Sequence, residues 1–142
     1  MIETPAPDVE LAGSPAPSSP ARDAVASKKS GTTDELTWVG FDLGGTKMNA
    51  VLFDRKFEAI TRRKKKTRGS DGIDAGVERI RSTIEKLLED ALISKDRLGG
   101  IGIGCPGPLD LDEGVVLELP NLGWKNVPLR KILEREFGCT VN

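Results

Sequence analysis

Apolar residues fall into two rhythms along the chain, and most of them lie after position 36. Thr37–Leu43 and residues 46–53 are dense, β-rich runs, which predicts two strands joined by a turn at Gly44 and Gly45. Ala59–Lys66 follows as a third antiparallel strand after a turn near residues 54–57. Ile73, Val77, Ile80, Ile84, Leu87, Leu88 and Ala91 then recur at the spacing of one buried face on a long helix. Ser70 or Asp71 is the expected cap, and Asp74 suits the positive end of the helix dipole. Leu98–Gly104 reads as a glycine-laced strand with Ile101 and Ile103 as its apolar members. Glu113 and Gly114 turn residues 109–111 back on Val115–Leu119, a small hairpin expected over the sheet. Pro128 suits the first position of a second helix, Leu129–Phe137, which turns Leu129, Ile132, Leu133 and Phe137 inward and ends at Gly138. Residues 139–142 begin another strand.

The order β-β-β-α-β-(hairpin)-α-β predicts an α/β layer whose mixed sheet starts as an antiparallel meander with helices packed on it. Residues 1–36 carry Pro5, Pro7, Pro15, Pro17 and Pro20 among Ala, Ser, Thr and charge, so a disordered tail is expected there. What remains is one folded unit of roughly a hundred residues, too short for a two-lobed enzyme. A chain that stops on a strand suggests truncation of a longer domain. The 21 basic and 22 acidic residues of the 142 leave a formal charge of −1, with no global field favouring nucleic acid or an anionic membrane. No membrane-length apolar stretch or signal peptide is visible, and a reducing cytoplasm fits the two cysteines, Cys105 and Cys139, read as buried filler. With no histidine and no Cys-x-x-Cys pair, neither a tetrahedral zinc site nor a histidine-dependent hydrolase is expected from these residues.

Candidate chemistry begins at residues 42–47, Asp-Leu-Gly-Gly-Thr-Lys. Adjacent glycines between two strands let backbone approach a ligand closely. Freed N–H groups, the Thr46 hydroxyl and the Lys47 ammonium suit anionic oxygens, and Asp42 suits a hydrated magnesium ion. The alternative is an ordinary hairpin with a polar tip. No segment fits the G-x-x-x-x-G-K-[ST] phosphate loop. Gly102, Gly104 and Gly107 spell G-x-G-x-x-G, but Pro106 and Pro108 lead to a hairpin instead of the helix that a dinucleotide site needs. Arg62, Arg63, Lys64, Lys65, Lys66 and Arg68 read as a solvated strand edge that discourages pairing, in preference to a nucleic-acid platform, which would need aromatic stacking residues.

Residues 42–47 resemble the first phosphate motif of the sugar kinase, heat-shock chaperone and actin superfamily. Cys-Pro-Gly-Pro-Leu-Asp at 105–110 and Leu-Pro-Asn-Leu-Gly-Trp at 119–124 extend the likeness. Together the three motifs resemble the ROK family (repressors, open reading frames and kinases), specifically its glucokinase-like sugar kinases, over residues 38–142. The resemblance implies a ribonuclease H-like, actin/hexokinase-type N-terminal lobe. It implies that Asp42, Gly44, Gly45, Thr46 and Lys47 surround ATP phosphates and Mg2+, and that Gly107 and Asn121 line a hexose pocket, glucose being the leading substrate. The chemistry agrees: Gly107 admits a sugar ring to its backbone, and the Asn121 amide both donates to and accepts from hydroxyls. Asn121 serving turn backbone and Trp124 forming either a pocket wall or, preferably, a core anchor stay open.

The family's catalytic aspartate sits in an Asn-Asp pair expected just beyond Asn142, so no catalytic residue is assigned and this chain alone is expected to be inactive. Its zinc and adenosine motifs also come later, so zinc is not expected here. The resemblance leaves room for a homo-oligomer of the full-length protein, and for two other roles: a sugar-sensing regulator, or a non-catalytic module of the same fold. Residues 1–35 lack the paired apolar periodicity of a helix-turn-helix. The nucleotide reading requires the turn after the first strand to be open, not plugged by apolar neighbours.

Overall fold

The computed structural model describes residues 35–142, so the expectation of a disordered tail falls, but for Glu35 and Leu36, outside the described residues. Strands β1 (Thr37–Leu43), β2 (Lys47–Phe53) and β3 (Ala59–Lys66) form the meander. Strand β4 (Leu98–Gly104) lies parallel to β1, and β8 (Thr140–Val141) lies parallel to β4, giving the order β3-β2-β1-β4-β8. Alternation decides what each face does. Val39, Phe41, Leu43, Met48, Ala50 and Leu52 are buried on one side, where helix α1 (Ile73–Asp90) meets them with Ile80, Ile84, Leu87 and Leu88. The other side presents Trp38, Gly40, Asp42, Asn49, Val51 and Phe53, none of them fully buried.

A second sheet of three strands, β5 (Leu109–Asp110), β6 (Val115–Leu119) and β7 (Trp124–Val127), replaces the expected two-stranded hairpin. Its third strand escapes sequence patterning because only Trp124 and Val127 of its four residues are buried. Trp124 is the anchor of this sheet. Its indole lies over Gly76 of α1 so closely that a Cβ built there would stand 2.4 Å from Trp124 Cζ2. The core reading of Trp124 therefore holds, at 1% exposure. Helix α2 (Leu129–Phe137) buries Leu129, Leu133 and Phe137, with Ile132 half-buried, and Gly138 closes it in a left-handed conformation, φ 66°.

Several details differ from expectation. Neither Ser70 nor Asp71 caps α1: both lie in a short 3-10 turn, Gly69–Asp71, and Gly72 takes the cap position without a side-chain bond. Ile73 is 37% exposed, because the helix starts beyond the edge of the core. Pro128 occupies the cap position of α2, one residue earlier than expected. Cys105 and Cys139 are half-buried free thiols, and burial pushes both up from their ordinary pKa. β3 forms the sheet edge, as the basic run suggested, and six of its eight residues are exposed. Among the described residues no helix is long and apolar enough to cross a membrane.

Candidate functional site

Parallel pairing of β1 with β4 brings their carboxyl ends together, the end of an open α/β sheet where ligands characteristically bind. Asp42 is the register partner of Gly104 on one side and of Asn49 on the other. It is exposed, and a Cβ built at Gly102 or Gly104 would meet nothing within 4 Å, so the space beside it is open. The turn that follows is not plugged. Gly44 and Gly45 are half-buried, and Thr46 and Lys47 are exposed.

The Gly44 N–H donates to the Lys47 carbonyl at 2.9 Å, closing the turn. A Cβ at Gly44 would approach that same oxygen to 2.7 Å, so the closure requires glycine. Among the described residues the N–H groups of Gly45 and Thr46 have no protein acceptor, leaving two backbone donors beside the Thr46 hydroxyl and the Lys47 ammonium. Such a set of donors binds anionic oxygens.

The two expected half-sites meet at Gly45. A Cβ there would stand 3.2 Å from Asn121 Nδ2 and 3.3 Å from Asn121 Cβ, so the absent side chain is what lets the asparagine pack on the turn. Asn121 sits exposed in a 3-10 turn, Pro120–Leu122, which Gly123 ends at φ 65°. That turn leads from β6 into β7, so the Trp124 anchor fixes its position. Gly107 is exposed in the loop from β4 to β5, three residues after Gly104, and a Cβ there would meet only Leu109 within 4 Å.

Four residues of the site were not singled out from sequence. Thr67, in the β3–α1 connection, bonds the turn at Gly44, Arg79 of α1 bonds Thr67, Gly69 packs against the Asn121 turn, and Asn49 faces Asp42 across the hairpin. Thr67 was hidden at the end of the basic run, and Asn49 looked like one polar member of an apolar strand. The Asn49 Oδ1 atom is buried and, among the described residues, has no hydrogen-bond partner. An exposed carboxylate next to a carboxamide oxygen lacking a donor suits a hydrated hard cation such as Mg2+, which takes one or two carboxylates and fills its remaining positions with water and phosphate oxygens. Among the described residues no group of three or more His, Cys, Asp or Glu is placed to hold a metal by itself.

Residues 38–142 match the ROK family. The chain belongs to this family. It is 32% identical to a glucokinase of Halalkalibacterium halodurans over 99 residues, covering 70% of this chain and 30% of the relative. It is 32% identical to a xylose repressor of Caldicellulosiruptor bescii over 103 residues, covering 72% of the chain and 26% of the relative. A ROK glucokinase from Streptomyces griseus, solved with glucose and AMPPNP, superposes with a TM-score of 0.62 at 26% identity over 76% of this chain and 32% of that one. The chain thus spans a third or less of the length of these ROK relatives, and its two-layer lobe has the actin/hexokinase-like fold of the family's sugar kinases.

Proposed function

We propose that the chain forms the N-terminal lobe of a ROK sugar kinase that transfers the γ-phosphoryl group of MgATP to a hexose hydroxyl, with glucose the leading substrate. In this reading Asp42, Gly44, Gly45, Thr46 and Lys47 hold the nucleotide phosphates and Mg2+, and Gly107 and Asn121 contribute to the sugar pocket. The observation that carries it is the packing of Asn121 on Gly45, which sets a polyol-binding amide against an open turn bearing free N–H donors. Phosphoryl transfer demands this proximity, since its catalysis is chiefly positioning and charge stabilisation.

When bound, Mg2+ would neutralise charge developing on the phosphate oxygens. Gly45 and Thr46 would donate their N–H groups to the same oxygens, Lys47 would supply a mobile positive charge, and Asn121 would orient the sugar by donating to one hydroxyl and accepting from another. No carboxylate of the chain is assigned as the base that takes the hydroxyl proton. Lack of a general base costs about 10²- to 10⁴-fold in rate.

A coupled ADP-release assay on the chain with glucose and MgATP, alongside titration of each ligand followed by amide NMR shifts, tests this. Negligible turnover is expected together with MgATP-induced shifts at residues 44–47. Ordinary turnover would show that the base lies within the chain, and silence at residues 44–47 would remove the nucleotide reading. The similarity to a xylose repressor favours a second reading, a sugar-sensing regulator, which would bind sugar with no response to MgATP.

A further inference from the structure

A turn that presents free N–H groups also presents carbonyls, and carbonyl oxygens repel the phosphate oxygens that the N–H groups attract. One residue takes two of the carbonyls at this turn. Thr67 Oγ1 donates to the Gly44 carbonyl at 2.7 Å, and the Thr67 backbone N–H donates to the Thr46 carbonyl at 2.9 Å. Thr67 is 1% exposed. Its own carbonyl accepts a hydrogen bond from the Arg79 guanidinium, which reaches out from α1 and also donates to the Asp71 carboxylate at 2.6 Å.

The same segment carries a strained residue and touches the other half-site. Arg68 is left-handed, φ 52° and ψ 62°, a conformation that non-glycine residues adopt at an energetic cost and that concentrates at functional sites. Gly69 then passes beneath the Asn121 turn: a Cβ there would stand 2.5 Å from the Asn121 carbonyl and 2.6 Å from Leu122 Cδ2. Residues 67–71 thus touch both the phosphate turn and the segment that carries Asn121.

We propose that Thr67, locked by Arg79, is a positioning residue that engages the Gly44 and Thr46 carbonyls and so withdraws two acceptors from an anion at the turn, while Gly69 holds Asn121 in register with it. The proposal deepens the nucleotide reading and rests on it for the identity of the anion. A buried threonine with a merely structural role would affect stability and leave ligand affinity to follow. A positioning role separates the two.

Thr67→Val keeps the shape and the backbone bond to Thr46 but deletes the donor to Gly44, and Thr67→Ser restores that donor. Both variants, with Arg79→Met, are titrated with MgAMPPNP and with glucose by amide NMR, beside thermal melts. Expected for Thr67→Val are changed resonances confined to residues 44–46, about a tenfold loss of MgAMPPNP affinity and a smaller change for glucose. Thr67→Ser should stay within about threefold of wild type, and Arg79→Met should weaken nucleotide binding in the same direction as valine. MgAMPPNP affinity unaltered in Thr67→Val, or serine failing as valine does at an equal melting temperature, overturns the proposal. If the wild-type chain gives no nucleotide response, the nucleotide reading falls separately. The positioning role is then judged on the turn itself: shifts confined to residues 44–46 in valine and reversed in serine sustain it, and unchanged shifts overturn it.

Discussion

The glycine turn at residues 44–47 and the Asn121 segment touch at Gly45, yet they are built in opposite ways. The turn is local: β1 and β2 pair directly across it, from Leu43 with Met48 to Trp38 with Phe53, and the four residues 44–47 close it. The Asn121 segment is a three-residue 3-10 turn held by distant groups, Gly69 beneath it and Trp124 pinned to Gly76 of α1 just after it. Hairpins of the first kind keep their geometry from nearby register, whereas the second kind inherits its geometry from the whole fold. The Asn121 segment should therefore be the more easily displaced by changes in the core.

The largest expected effect follows from that contrast. Trp124→Ala should destabilise the chain by about 3–5 kcal/mol in urea unfolding, and amide exchange should rise in residues 115–127 before it rises in the β1–β2 hairpin. Uniform loss of protection would erase the distinction between the two regions. Gly76→Val attacks the same contact from the helix side, and overpacking against the indole should cost about 1–3 kcal/mol by the same measurement.

Gly45→Val sharpens the comparison at the point of contact. With Asn121 Nδ2 only 3.2 Å from the new Cβ, the asparagine must move, so glucose and MgAMPPNP affinities should both fall, by roughly tenfold, while stability changes by less than about 1 kcal/mol. Loss confined to one ligand would mean that the two half-sites do not share this contact. Asp42→Asn should leave stability within about 0.5 kcal/mol because the side chain is exposed, and should abolish the Mg2+ dependence of nucleotide binding.

Acid gives the smallest effect. The Asp90 carboxyl lies below its ordinary pKa because it accepts hydrogen bonds from Arg63, and Glu136 lies lower because it accepts one from Lys95 and another from Arg81. Both folded values are depressed, so each contribution is present above the ordinary carboxylate range and is lost as pH falls through the depressed value. Asp90 is exposed and Glu136 only half-buried, so a slight fall in melting temperature below pH 4.5 is expected, weaker in Glu136→Gln than in wild type.

How far the sequence foretold this arrangement depends on range. The strands of the meander were legible because alternation and glycine punctuation are local signals, and α1 was legible from its apolar spacing. The turn residues 42–47 were legible for the same reason. Asn121 came from a resemblance, and its packing on Gly45 depends on a third strand, β7, whose two buried residues carry no period. Thr67 was the hardest to see. It follows five consecutive basic residues, and only the fold reveals that its hydroxyl faces Gly44 while those neighbours face water or α1. The expected caps of α1 failed because a 3-10 turn intervenes, and Asp71 is engaged by Arg79.

The edge strand has a consequence of its own. Arg63 is tied to Asp90 and Lys65 to Ser82, but among the described residues Arg62, Lys64 and Lys66, one step out of phase, have no acidic partner. Lys66 lies directly opposite Lys47 in the β2–β3 register, and facing like charges repel. A polyanion bound beside this pair would offset that repulsion. Added salt should thus steady the unliganded chain while blunting the melting-temperature gain from MgAMPPNP.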